Sequence, residues 1–194
     1  LNYFQRSLKI SEEMGNKRSM VANLSNIGVT YDEQGDYPKA LDYHQRSLKI
    51  RMESGDKKGM AINLNNIGVT YKNQGVYPQA LNYFQRSLKI NEEIGDKQGM
   101  AAPLINIGNV YRRQGYYSQA LTYCNKGLRI SQEIGALETE KEACQCLYDS
   151  YKATGNGNKA LEYHEQMLAL DDSLNAEETQ KKLQQMEFQK AMLQ

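Results

Sequence analysis

The pairs Ala40-Leu41, Ala80-Leu81, Ala120-Leu121 and Ala160-Leu161 recur at a fixed spacing, which sets the chain on a period of 40 residues. Residues 1–10, LNYFQRSLKI, return unchanged at 81–90, as expected from recent duplication. A period of this length marks stacked copies of one supersecondary unit, none of which can cover its own apolar face alone.

Each period holds two stretches of helical periodicity, separated by glycine-containing turns such as QGVYP and GDKKG. In the first stretch Met20, Leu24, Ile27, Gly28 and Tyr31 fall at helical spacing, and in the second Ala40, Leu41, His44, Leu48 and Met52 do. Pro38 and Pro78 lie in the first turn of the second helix, where a missing N–H costs nothing. The pattern predicts helices over 1–14, 17–34, 37–54, 57–74, 77–94, 97–114, 117–134, 137–154, 157–170 and 173–194, and no strands. Pro103 falls inside one of them, so a kink or a late helix start is expected there, whereas its counterparts Asn23 and Asn63 carry no such penalty.

The expected fold class is all-α, an α-solenoid of antiparallel helix hairpins. Residues 1–14 read as the second helix of a truncated upstream unit, followed by full units at 17–54, 57–94, 97–134 and a divergent 137–170. On this reading Leu1, Phe4 and Leu8 face solvent, which invites self-association through the N-terminal helix. The segment 173–194 breaks the period. It reads as a capping or linking helix that opens on Asp171, Asp172 and Ser173 and carries Leu183, Met186 and Leu193 at roughly coiled-coil spacing.

Charge and composition exclude several functions. Lys and Arg number 24 against 23 Asp and Glu, a net charge of +1, so no global field draws nucleic acid to the chain. No apolar run approaches the roughly 20 residues that a membrane span needs, so membrane insertion is not expected. Cys124, Cys144 and Cys146 are an odd count within helical pattern and are read as buried, reduced thiols, which favours a cytoplasmic setting. No metal-spaced cluster, cofactor motif, Ser-His-Asp order or paired-carboxylate arrangement stands out, so neither a metal, a cofactor nor catalysis is expected. The GNGN at 155–158 fills an inter-helix turn and lacks the Lys-Ser/Thr ending of a phosphate loop. His44 and His164 occupy the slot of Phe84 and Cys124 and are read as structural core residues.

The repeated residues resemble the tetratricopeptide pattern W-x2-L-G-x2-Y followed by G-x-Y, A, F and A. Leu24, Ile27, Gly28, Tyr31, Gly35, Tyr37, Ala40, His44 and Ser47 fill its slots in the first unit. Leu64, Ile67, Gly68, Tyr71, Gly75, Tyr77, Ala80, Phe84 and Ser87 do so in the second. The third has Leu104, Ile107, Gly108, Tyr111, Gly115, Tyr117, Ala120, Cys124 and Gly127. The worn fourth has Cys144, Leu147, Tyr148, Tyr151, Gly155, Gly157, Ala160, His164 and Met167. The unit exceeds the usual length of about 34 residues. It is similar to the extended subtype of Pins/LGN-type polarity proteins, kinesin light chains and bacterial signalling proteins. The resemblance implies a right-handed superhelix whose first helices line a concave groove for a protein or peptide segment. In one version of the family Lys and Arg on those helices hold a C-terminal carboxylate, but here Ser25, Val29, Asn66, Ala102 and Asn106 stand at the corresponding positions, so that clamp is absent.

Asn26, Asn66 and Asn106 recur just before the Ile-Gly pair, where the extended subtype often has an Asn that bonds a peptide backbone. An amide carries donors and an acceptor, which suits reading a main chain without regard to its side chains. A harmless Asn copied by duplication, or one bonded to a neighbouring helix, fits the sequence equally well. Asn65 and Asn109 lie on the same helices and complete the amide set. Lys72, Arg112 and Arg113, with Lys152 beyond, sit one turn further along, where the first unit has Asp32 and Glu33, so the groove is expected to change sign along its length. Two functions follow: a non-catalytic peptide- or protein-binding scaffold, sensory or assembly module of a larger signalling protein, or an architectural, self-associating spacer whose groove has no dedicated ligand.

Overall fold

The computed structural model describes residues 1–192, with side chains through 186 and at 188. It contains α1 (Asn2–Glu13), α2 (Lys17–Glu33), α3 (Tyr37–Ser54), α4 (Lys57–Asn73), α5 (Tyr77–Ile94), α6 (Lys97–Arg113), α7 (Tyr117–Ile134), α8 (Leu137–Ala153) and α9 (Gly157–Met192), with no strand among the described residues. Each helix packs on the next in sequence, and α2, α4, α6 and α8 also touch one another in series, whereas α3, α5 and α7 do not. The even-numbered helices are therefore the crowded row, and they line the inner face of the solenoid.

The punctuation is finer than the 40-residue period. A glycine with positive φ closes a helix every 20 residues, from Gly15 to Gly155. At Gly55, φ is 69° and a Cβ would meet nothing within 4 Å, so the backbone conformation and not lack of space demands glycine. Helices α2, α3, α4 and α6 start on side-chain caps: Asn16, Asp36, Asp56 and Asp96 accept from the backbone N–H three residues on, which satisfies a donor that the helix itself leaves free.

Glycine has the opposite role inside the even helices. A Cβ on Gly28 would lie 2.6 Å from the His44 ring, one on Gly68 2.6 Å from Phe84 and one on Gly108 2.3 Å from Cys124 Sγ. The missing side chain lets the second helix of each hairpin press its aromatic ring or sulfur onto the first. A stacked tyrosine pair closes the other end of every hairpin: Tyr31 on Tyr43, Tyr71 on Tyr83, Tyr111 on Tyr123 and Tyr151 on Tyr163, with centroids 5.5–5.7 Å apart. Tyr43, Tyr83 and Tyr123 also lie under Arg46, Arg86 and Lys126.

Several expectations are overturned. Helix α9 runs unbroken for 36 residues through Asp171, Asp172 and Ser173, so these do not cap a separate helix. The Ser173 hydroxyl donates backward to the Ala169 carbonyl, a bond that a helix interior accommodates. Leu183 and Met186 are exposed on its outer half, while Leu193 lies outside the described residues. Helix α6 starts on time at Lys97 despite Pro103. Phe4 and Leu8 of α1 pack against Leu24 and Ile27 of α2, leaving Leu8 buried, because a second helix serves the following hairpin as well as its own. Tyr3 and Ile10 are the exposed apolar residues of α1, with Leu1 and Met14 exposed at its two ends. Met52 is exposed, and Ser47 takes the buried position of α3, bonded to Ser25 and Asn63.

The cysteines and histidines also differ from expectation. Cys124 and Cys146 form a disulfide between α7 and α8, leaving Cys144 as the free thiol. All three are buried, as expected, but two are not reduced, which removes the ground for a cytoplasmic setting. The small Cys124 in the slot of Phe84 leaves room for a sulfur from the next hairpin. Burial pushes the Cys144 thiol up to about 11. His44 is a core residue, and burial lowers its pKa to about 4. His164 is exposed. In the fourth unit Tyr148 occupies the slot of Gly28, Gly68 and Gly108, so His164 rests against that ring, 5.4 Å between centroids, and cannot enter the core.

Candidate binding groove

On the inner face, the stretch formed by α4, α6 and α8 carries a run of polar side chains. Lys72 Nζ donates to Asn106 Oδ1 at 2.8 Å, and Asn106 Nδ2 donates to Asn65 Oδ1 at 3.2 Å, which ties α4 to α6. One turn along, Arg112 Nε donates to Asn109 Oδ1 at 3.4 Å, and its guanidinium pairs with Asp149 of α8 at 3.3 Å. Asn66 is half-buried, and among the described residues side-chain hydrogen bonds engage only its backbone carbonyl, which accepts from the Thr70 hydroxyl at 3.2 Å. Asn26 is exposed on α2, outside this network. Arg113 is exposed beside the cluster. The structure thus brings Asn65, Asn106, Lys72, Asn109 and Arg112 together and leaves Asn26 apart.

Beside this network lies a cleft of about 400 Å³ lined by Lys72, Asn106, Asn109, Glu138, Lys141 and Gln145, with Glu142 at its wall. Burial lowers the Lys72 pKa, and the neighbouring Arg113 charge adds to the effect. Burial raises the Glu142 carboxyl, and Lys72 partly offsets this. The α8 acids escaped the reading of the sequence, although Glu142 stands one period after Ala102, a position already assigned to the inner face. They alter the electrostatics: Arg112 is paired with Asp149 and Lys72 faces Glu142, so part of the positive charge of the later units is compensated. At the other end Asp32 accepts from Asn73 at 2.7 Å, and burial raises its carboxyl. Lys152 lies over the Tyr148 ring, 5.4 Å from its centroid. The amide row stops at the third unit, because Cys146 takes the Asn106 slot in the fourth and is turned into the core by its disulfide.

Among the described residues no group of three His, Cys, Asp or Glu side chains is placed to hold a metal ion, and no helix is long and apolar enough to cross a membrane.

An all-α array of hairpins with an inner face of this kind defines a helical-repeat scaffold. The family is shown by sequence: a tetratricopeptide repeat profile matches residues 1–53 and 59–133, and the chain belongs to that family, whose arrays are generally non-catalytic. The match ends before the worn fourth unit. Comparison with curated proteins finds no match. Among solved structures the chain is similar to BtubC (BKLC) from P. vanneervenii, with TM-score 0.72, 20% identity and coverage of 89% of this chain and 72% of that one. Aspartyl phosphate phosphatase F from Bacillus subtilis gives TM-score 0.81 at 18% identity, over 90% of this chain and 46% of the other, so this chain spans less than half of that protein. A Rap protein complexed with Competence and Sporulation Factor gives TM-score 0.64 at 16% identity, over 90% and 58%. At these identities the likeness is one of fold.

Proposed function

We propose that the inner face of α4, α6 and α8 holds an extended segment of a partner protein, read mainly through its backbone. The observation that carries this is the half-buried amide set beside an open cleft, with Asn66 unpartnered and Asn106 held by Lys72 and Asn65 in a fixed orientation. A fixed amide costs little further entropy on binding. Asn106 keeps one N–H and one lone pair for a ligand, and Asn66 keeps its whole amide. The mixed charges of Lys72, Glu138, Lys141 and Glu142 suit a segment that carries both signs rather than a uniformly acidic one. A fold neighbour, the Rap protein, is complexed with Competence and Sporulation Factor, which is consistent with a ligand on such a surface. The module would then serve as the sensory or assembly part of a larger signalling protein.

The test is a selection from a displayed random-peptide library against the chain and against an Asn66→Ala/Asn106→Ala double variant with unchanged helicity. Sequences enriched by the chain and lost with the variant support the groove. Equal enrichment by both refutes it.

The second reading, a self-associating spacer, is favoured by exposed Tyr3 and Ile10 on α1, Met14 just after it, and Leu183, Met186 and Phe188 on α9. Sedimentation equilibrium that stays monomeric up to about 100 μM, near −5.5 kcal/mol on the affinity scale, would refute it.

A further inference from the structure

The first three units are near copies, so a place where one copy departs from the next can be read against its own internal control. Such a place is the cleft between successive hairpins, formed by the first turn of an even helix, the end of the following odd helix and the capping aspartate beyond it. In the second copy of this cleft Lys58 pairs with Asp96 at 2.9 Å, and Asn91 gives its amide to the Gly99 carbonyl at 2.6 Å. One cation meets one anion, and the buried polar side chain is bonded.

In the first copy the equivalents are Arg18, Asp56 and Arg51. Asn63, not proline, stands at the position of Pro103, so the Gly59 carbonyl keeps its helical N–H partner and Arg51 has no backbone acceptor to take. Its guanidinium lies over Gly59, where a Cβ would be 2.2 Å from Nη1. The nearest acid is Asp56, at 3.9 Å from Nη1, beyond hydrogen-bond distance, and the other Asp56 oxygen is committed to the Gly59 N–H at 2.9 Å. No Arg51 side-chain N–H has a hydrogen-bond acceptor among the described residues, and Nε is fully buried without one. Only 14% of the Arg51 side chain is exposed. Arg18 has no acidic partner among the described residues, and Lys17 reaches Glu53 only at 3.9 Å. Both lysine and arginine stand in the first turn of α2, which has no acid to offset them, against the sense of the helix dipole. The space that these groups enclose is about 480 Å³.

We propose that this first inter-hairpin cleft is an oxyanion site, in which the Arg51 guanidinium, supported by Arg18 and Lys17, takes a carboxylate or phosphoryl group. A planar fork of donors held against Gly59 matches two oxygens of either group side by side. The site lies at the start of the even helices and uses a residue of an odd one, so it is separate from the amide groove and does not depend on it.

The experiment is an NMR titration that follows the Arg51 Nε–Hε resonance while sodium phosphate, and separately sodium acetate, replaces sodium chloride at constant ionic strength. Saturation at Arg51 in the millimolar range, with the exposed Arg46 and Arg86 showing only a shallow linear drift, is the expected result. Arg51→Asn, which copies the residue of the next unit, is expected to keep the fold and to lose the thermal stabilisation of at least a degree that the bound anion confers on the parent chain. Saturation by acetate as well as phosphate identifies a carboxylate-type site, and saturation by phosphate alone a phosphoryl site. If neither anion saturates the Arg51 signal, or the variant is stabilised as much as the parent, the proposal is overturned.

Discussion

Pro103 is a defect in α6 that the neighbouring helix repairs, and the repair can be measured. Lacking an N–H, Pro103 cannot donate to the carbonyl of Gly99 four residues back. That carbonyl instead accepts from Asn91 Nδ2 at 2.6 Å, and Asn91 is only 3% exposed on α5. Gly99 is itself required, since a Cβ there would stand 2.5 Å from Asn91 Oδ1. Truncation by Asn91→Ala leaves a partly buried carbonyl without a donor, and a loss of about 1–2 kcal/mol is expected. Pro103→Ala restores an N–H that closes the ordinary helical bond to Gly99, so in that background Asn91→Ala should cost only about 0.5 kcal/mol. The cycle therefore predicts a coupling of about 1 kcal/mol, well above the roughly 0.3–0.5 kcal/mol at which independent sites add. Urea unfolding followed by far-UV circular dichroism for the four proteins gives the number. Additivity within error would show that Asn91 does not serve the carbonyl freed by the proline, and would refute this account of why α6 tolerates it.

Three further outcomes follow from the packing. Gly68→Ala drives a methyl to 2.6 Å from the Phe84 ring and should cost about 1–3 kcal/mol, with part regained by Phe84→Leu, both read by urea melts. His44 has a folded pKa of about 4, below the usual 6.5, so its contribution is present above pH 6.5 and is lost as pH falls, because the unfolded chain takes up the proton first. The loss is about 2 kcal/mol by pH 5, and His44→Phe, which copies the Phe84 packing, should flatten the decline in unfolding free energy between pH 7.5 and 5 by that amount. Reduction of the Cys124–Cys146 bridge opens a loop spanned by a sequence separation of 22 and should lower stability by about 3 kcal/mol, measured as a drop in melting temperature with dithiothreitol that a Cys124→Ser variant does not show.

The sequence by itself determined the fold, because the period and the turn glycines are local signals that four copies repeat. It also determined the tight spots, since Gly28, Gly68 and Gly108 stand in a fixed register with the residue they must admit. It placed the amide positions on a common face, but not which of them are bonded, since Asn26, Asn66 and Asn106 read alike and only the approach of α4 to α6 engages Asn106 with Lys72 and Asn65. Tertiary structure decided wherever the copies diverge, because there the periodic argument fails. Tyr148 in a glycine slot expels His164 from the core, Asn91 rescues Pro103, Cys124 pairs across the hairpin boundary with Cys146, and α9 runs on through residues that spell a cap. Each of these depends on what another helix presents at a distance of a few ångströms, and a one-dimensional pattern carries no such distance.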